Sequence, residues 1–274
     1  MLHPAAMDAA LRFPVHLRAG PVDLPLHLLL ESLAYLIGFQ LYLRQRRRRG
    51  DHLGERTRGW VVVAAVLGAA AGSKVVYWLS DPWLTARQAA AGDVAFLMAG
   101  KSIAGALAGG LIAVEAVKRR LGVRPATGDL FAVPLAVGIA VGRLGCFLAG
   151  LDDHTYGLPA TLPWAVDFGD GTPRHPTQLY EALFLILLVP LLLRLQRPPA
   201  PGEPPREVGD AFKAFMVGYF AFRLLLEFLK PGVPLGGLFA IQWVCLGVLL
   251  YYAQLLVRRR APGGRRLREV MAGG

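Results

Sequence analysis

Arg143 stands in the run GIAVGRLGCFLAG at 138–150, with glycines on both sides and Cys146 three residues on. A guanidinium stays charged at any accessible pH and grips phosphate or carboxylate through two parallel N–H groups. Placed in an apolar helix it is expensive, so its default reading is functional. A second arginine, Arg223, lies in FRLLLEFLK at 222–230, with Glu227 four residues later on the same helix face. Between them runs His175-Pro176-Thr177-Gln178-Leu179-Tyr180-Glu181, a helix start with proline in the first turn and several polar groups at its head. Glu31, Lys74 and Lys101 complete a set of charges inside otherwise apolar stretches. Two arginines suit a bound phosphate, while Gln178 and Glu181, three apart, share a helix face and His175 is read either as part of that site or as a simple cap. The internal Arg223–Glu227 pair is the competing reading for Glu227, and an interface aromatic is the competing reading for Tyr180.

These side chains need helices to hold them in a membrane. Of 274 residues, 54% are hydrophobic and 18% charged, and the mean hydropathy is +0.44. Seven apolar stretches have the length of a bilayer span, at 25–43, 60–79, 96–117, 130–150, 178–195, 211–230 and 236–257. The segments 44–59, 118–129, 194–210 and 258–274 hold 7, 4, 3 and 6 of the 30 Lys and Arg, against 2, 1, 1 and 0 in 1–24, 80–95, 151–177 and 231–235. That alternation is the positive-inside pattern. It predicts an all-α, polytopic bundle of about seven transmembrane helices in one membrane domain, N-terminus outside and C-terminus cytoplasmic, with 258–274 as a basic cytoplasmic tail.

The net charge of +11 is thereby assigned to headgroup anchors rather than to nucleic acid. The first 24 residues lack a basic region followed by an apolar run, so no cleavable signal peptide is expected. Cys146 and Cys245 fall within spans, which implies no disulfide framework. Neither a metal nor an organic cofactor is expected.

With this orientation Glu31, Lys74, Lys101, Arg143, Glu181, Arg223 and Glu227 all fall in the outer halves of their spans. Arg143, seven residues before Gly150, lies about 10 Å below the outer boundary at a rise of 1.5 Å per residue. Charges gathered at one depth describe a chamber open to the outer leaflet. A transporter would need charges or broken helices reaching the cytoplasmic half. The phosphate available at that depth is that of a phospholipid.

Local patterns add detail. Segment 11–25 reads as a turn or short hairpin before span 1. Gly68/Gly72, Gly105/Gly109 and Gly138/Gly142 are each four apart, which predicts that spans 2, 3 and 4 pack closely as one cluster. The loop 151–177 carries Asp152, Asp153, His154, Asp167 and Asp170, with a turn at DFGDG; the acids are read as solvating the loop. Segment 196–207 is a proline-rich linker.

At these residues the chain resembles the prolipoprotein diacylglyceryl transferases of bacteria, seven-span inner-membrane enzymes. The likeness is carried by GRLGCFLAG (142–150), Tyr156-Gly157, LPW (162–164), RHPTQLYEA (174–182) and FRLLLEFLK (222–230), with weaker echoes at 33–39, 71–79 and 100–107. It implies transfer of a diacylglyceryl group from phosphatidylglycerol to the signal-sequence cysteine of a prolipoprotein, with the site facing the outer leaflet. It implies that Arg143 and Arg223 hold the phosphate, that Gln178, Tyr180 and Glu181 order the site, and that Gly157 shapes the loop above it. Lys74, Lys101, Cys146, Glu31 and Glu227 are further substrate-side candidates. The chain departs from the family pattern where Ala104 replaces a third-span His, Cys146 an Asn, Lys74 an Arg and Lys230 an Arg, and the usual span-1 Tyr falls near Glu31. Without that His, the thiol's base is open among Glu31, Glu181, His154 and His175. The alternative reading is a divergent paralogue that binds or modifies phospholipid without prolipoprotein transfer.

Overall fold

The computed structural model describes residues 12–198 and 207–260. Its elements are short hairpins and nine α-helices, and the described residues group into two compact units.

The first unit comprises residues 12–50, 127–198, 207–212 and 228–231. It opens with β1 (His16–Ala19) and β2 (Val22–Pro25), paired antiparallel around a turn in which Gly20 has φ +61°. The expected hairpin is therefore present. Leu26 N donates to Val15 O, leading directly into α1 (Leu26–Arg49). Helix α6 (Asp129–Ala149) packs along α1 on one side and α7 (Thr177–Leu195) on the other. Pro134 and Pro190 lie inside these helices, as membrane helices tolerate when neighbours satisfy the freed carbonyls. The Asp129 carboxylate at the start of α6 accepts from Gly209 N and Phe212 N, tying it to the start of α8 (Asp210–Leu226). A second hairpin, β3 (Val166–Asp167) and β4 (Pro173–Arg174), closes on the expected DFGDG turn, where Asp167 Oδ1 accepts from the backbone of Gly169, Asp170 and Gly171.

The second unit comprises residues 51–126, 213–227 and 232–260. It holds α2 (Glu55–Ser80), α3 (Pro82–Ala90), α4 (Val94–Met98), α5 (Ile103–Arg120), most of α8 and α9 (Ala240–Arg260). Helices α2 and α5 share a seam of glycines. A Cβ at Gly72 would lie 2.8 Å from Gly109 Cα, and one at Gly109 would meet Gly72 Cα at the same distance. Only hydrogen at these positions lets the backbones approach so closely. The α9 helix packs on α5 and α2.

Two expectations are corrected. Gly138 and Gly142 work in the first unit against α1, where a Cβ on Gly138 would sit 3.2 Å from Ala34 O; spacing announces a close contact but not its partner. The third long helix starts not at 96 but at Ile103, because Asp93 and Ser102 each cap a separate helix, accepting from Phe96 N and Gly105 N. Helix α9 continues to Arg260, and its apolar stretch long enough to cross a membrane ends at Val257. Most of the linker at 196–207 and the tail from 261 lie outside the described residues.

The exposure pattern is inside-out relative to a water-soluble protein. Along α7, Thr177, Gln178 and Glu181 are fully buried, while Leu183, Ile186 and Leu187 are 57, 54 and 68% exposed. Helices α1, α2, α6, α7 and α9 are long and apolar enough to cross a membrane. Polar groups within and aliphatic side chains without are what a lipid solvent selects, so this is a multi-pass membrane protein.

Candidate functional site

In the first unit the polar centre is built by α6 and α7. Arg143 Nε lies 3.0 Å from Glu181 Oε1, with side-chain exposures of 6 and 0%. Arg143 Nη1 also reaches Cys146 Sγ at 3.7 Å, one turn along α6. A buried pair of this kind is held by mutual neutralisation, since either charge alone would be strongly destabilised.

Gln178 lies one turn before Glu181 on α7 and is fully buried. Neither its Nε2 nor its Oε1 has a hydrogen-bond partner among the described residues. An unsatisfied buried amide costs about 1–3 kcal/mol per group, so its presence beside a charged pair points to a ligand or ordered water that completes it.

Above the head of α7 the backbone is knit tightly. Gly157 N donates to His175 O, His175 N to Leu158 O, and Leu158 N to Leu229 O. A Cβ on Gly157 would fall 2.6 Å from His175 Cβ, 2.7 Å from His175 O and 2.9 Å from Leu229 O. Glycine is thus required by space. Tyr180 Oη accepts from Trp164 Nε1 at 2.7 Å and lies 3.2 Å from His175 Nδ1, which joins His175, Tyr180 and the loop tryptophan in one chain of polar contacts. Outside the spans, Arg174 grips Asp170 with both Nη atoms at 2.6 and 2.7 Å. That fork holds the Asp170 carboxyl below the ordinary aspartate range and raises Arg174.

Glu31 on α1 lies 3.7 Å from His27 Nε2, and the same nitrogen lies 4.0 Å from Asp153 Oδ1. His27, Cys146 and Asp153 bring their ligand atoms within 4.8 Å of one another. Sequence reading did not single out His27, and it treated Asp153 as a solvating acid. The available signal was His27 four residues before Glu31, which puts both on one face of α1.

In the second unit Arg223 Nη2 pairs with Glu227 Oε2 at 2.8 Å, with side chains 5 and 9% exposed. Helix α8 ends at Leu226 and passes into a 3-10 turn at Glu227–Leu229, so the pair straddles a change of helix type. Lys74 donates to Met98 O, to Ala99 O at 2.6 Å and to Gly100 O at 2.9 Å. Its ammonium thereby satisfies the carbonyls freed where α4 ends, a role invisible in spacing. Lys101 is exposed, next to the Ser102 cap of α5. Ala104, where a His was expected by resemblance, is 1% exposed.

Residues 14–258 match the family model of prolipoprotein diacylglyceryl transferase. A phosphatidylglycerol–prolipoprotein diacylglyceryl transferase of Bordetella parapertussis is 34% identical over 277 residues, covering 92% of this chain and 97% of that protein. The enzyme of the same name from Cupriavidus metallidurans is 33% identical over 278 residues, covering 89 and 92%. That from Rhodospirillum centenum is 34% identical over 268 residues, covering 92% of each. The match runs through every helix that carries Arg143, Gln178, Glu181 and Arg223, and the chain belongs to the prolipoprotein diacylglyceryl transferase family, a family of transferases.

Proposed function

We propose that this protein transfers a diacylglyceryl group from phosphatidylglycerol to the signal-sequence cysteine thiol of a prolipoprotein. The observation that carries the reading is the buried Arg143–Glu181 pair with the unsatisfied Gln178 amide beside it, in a chain about one-third identical to enzymes of that name over nearly its whole length. The seven-span topology, N-terminus outside, the bacterial inner membrane and a site facing the outer leaflet belong to the same proposal. They are supported by the alternation of basic loops.

In this reaction the thiol sulfur attacks the glycerol carbon that bears the phosphate. A carbon–sulfur bond forms, the carbon–oxygen bond to phosphate breaks, and glycerol phosphate leaves with the electron pair. Arg143 holds the phosphate and offsets charge growing on the leaving oxygen. Glu181 keeps that guanidinium oriented, and Gln178 offers an amide donor and acceptor to the headgroup. Arg223 carries over from the motif as the second arginine the reaction needs. The thiol must lose its proton to become a nucleophile.

Purified protein, phosphatidylglycerol and a peptide bearing a signal-type cysteine are expected to yield a peptide heavier by one diacylglyceryl unit. No mass shift, under conditions where a relative from Bordetella works, would overturn the reading. A paralogue with other lipid chemistry is favoured by one observation, the buried Ala104 in place of the family's His. Growth of a host that lacks its own transferase, supported by this gene, decides against it.

A further inference from the structure

Three residues from three separate pieces of the first unit converge beside Arg143. His27 comes from the first turn of α1, Cys146 from α6, and Asp153 from the turn that follows α6. Their ligand atoms lie within 4.8 Å of one another, and all three residues are half-buried. The set offers one imidazole nitrogen, one sulfur and one carboxylate oxygen, the donors characteristic of zinc rather than of calcium or magnesium.

Neither ring nitrogen of His27 makes a hydrogen bond among the described residues: Nδ1 is buried without one, and Nε2 has carboxylates only at 3.7 and 4.0 Å. Asp153, by contrast, is held from behind. Thr155 Oγ1 donates to its Oδ2, and Thr177 Oγ1 donates to Thr155 O at 2.7 Å, which leaves Oδ1 turned towards His27. Such outer contacts are what orient the ligands of a metal. The turn itself is tight, with His154 N bonded to Leu151 O at 3.0 Å and His154 at φ +52°.

We propose that His27, Cys146 and Asp153 bind one thiophilic divalent cation of the zinc type. Tetrahedral zinc with bonds of about 2.0–2.3 Å sets its ligands about 3.3–3.8 Å apart. The His27–Asp153 separation of 4.0 Å is close to that already, and the widest pair closes by side-chain rotation of about 1 Å. Three protein ligands leave the fourth position to a molecule from outside, as in catalytic rather than structural zinc sites. On the transferase reading above, and resting on it, that molecule is the acceptor thiol. Its S–H bond breaks, a sulfur–metal bond forms, and the proton passes to the Glu31 carboxylate, which stands 3.7 Å from the His27 nitrogen. Coordination to a metal deprotonates a thiol without a dedicated histidine base, which answers the loss at Ala104.

The test is spectroscopic and needs no turnover. Full-length protein in detergent, stripped with chelator and titrated with cobalt(II), is expected to take up one equivalent. It should show a sulfur-to-cobalt charge-transfer band in the near ultraviolet that zinc then abolishes. Cys146→Ser is expected to lose the band, and Asp153→Asn, on the loop, to weaken binding at least tenfold. Cys245→Ser, on α9 in the other unit, is expected to leave both unchanged. No band in the wild-type protein, or one that depends on Cys245, overturns the site whether or not the variants fold. A band with no diacylglyceryl transfer leaves the site standing and removes the transferase reading, and transfer without a band does the reverse.

Discussion

The Arg143 guanidinium and the Glu181 carboxylate meet at 3.0 Å with almost no solvent exposure, across the packed faces of α6 and α7. Neither charge can be left alone there. Glu181→Gln keeps the shape and removes the neutralising charge, and breaking one side of a buried pair costs about 3–5 kcal/mol. Lower thermal stability in detergent is expected together with loss of transfer. Arg143→Lys keeps the charge but loses the fork that grips phosphate, and the transfer rate is expected to fall by at least about 10²-fold. A lysine enzyme within tenfold of wild type would remove Arg143 from its assigned role.

Gln178 gives the opposite signature. Its amide finds no partner among the described residues, so replacing it by an apolar side chain of similar size removes an unmet demand rather than a bond. Gln178→Leu is expected to unfold at the same or a higher temperature than wild type. Its transfer rate is expected to drop about 10–100-fold, the equivalent of about 1–3 kcal/mol of ligand hydrogen bonding. Stability and activity falling together would show that the amide is structural.

Much of this scaffold is legible in the sequence, because a lipid solvent demands long apolar runs and leaves few ways to satisfy a backbone. The boundaries of α6 and α7 fall within a residue of those expected, and the Gly68/Gly72 and Gly105/Gly109 spacings find each other across α2 and α5. What spacing cannot name is a partner distant in sequence. Gly138 meets Ala34 O on α1, and Lys74 meets carbonyls 24 to 26 residues away. Asp153 reads as a solvating acid for the same reason, since its place beside Cys146 and His27 comes from the fold and not from spacing.

Gly157 is constrained by space on three sides, with His175 and the Leu229 carbonyl within 2.9 Å of any added Cβ. Those neighbours are backbone or Cβ atoms, which cannot swing away as a flexible side chain would. Gly157→Ala is expected to destabilise the first unit by about 1–3 kcal/mol. Gly59→Ala, in α2 with nothing within 4 Å of the new methyl, is expected to be neutral or to stabilise by up to about 1 kcal/mol. Thermal unfolding of the two variants side by side checks the contrast, and equal effects would refute the steric account.

Asp170 and Arg174 pin the β3–β4 hairpin from outside the spans, and their fork depresses the aspartate pKa. A carboxyl whose folded pKa lies below its unfolded one stabilises above the unfolded value, about 3.9 for aspartate, and loses that contribution as pH falls through the folded value. The hairpin is therefore expected to be equally protected from protease across neutral and mildly acidic pH, and to loosen only below the ordinary carboxylate range. Both partners are near the surface, so salt should weaken the pair. Asp170→Asn imitates the protonated form and is expected to raise the rate of cleavage in 166–174 already at neutral pH, with little change in global unfolding. Unchanged cleavage in that variant at low salt would show that the Asp167 turn holds the hairpin without the fork.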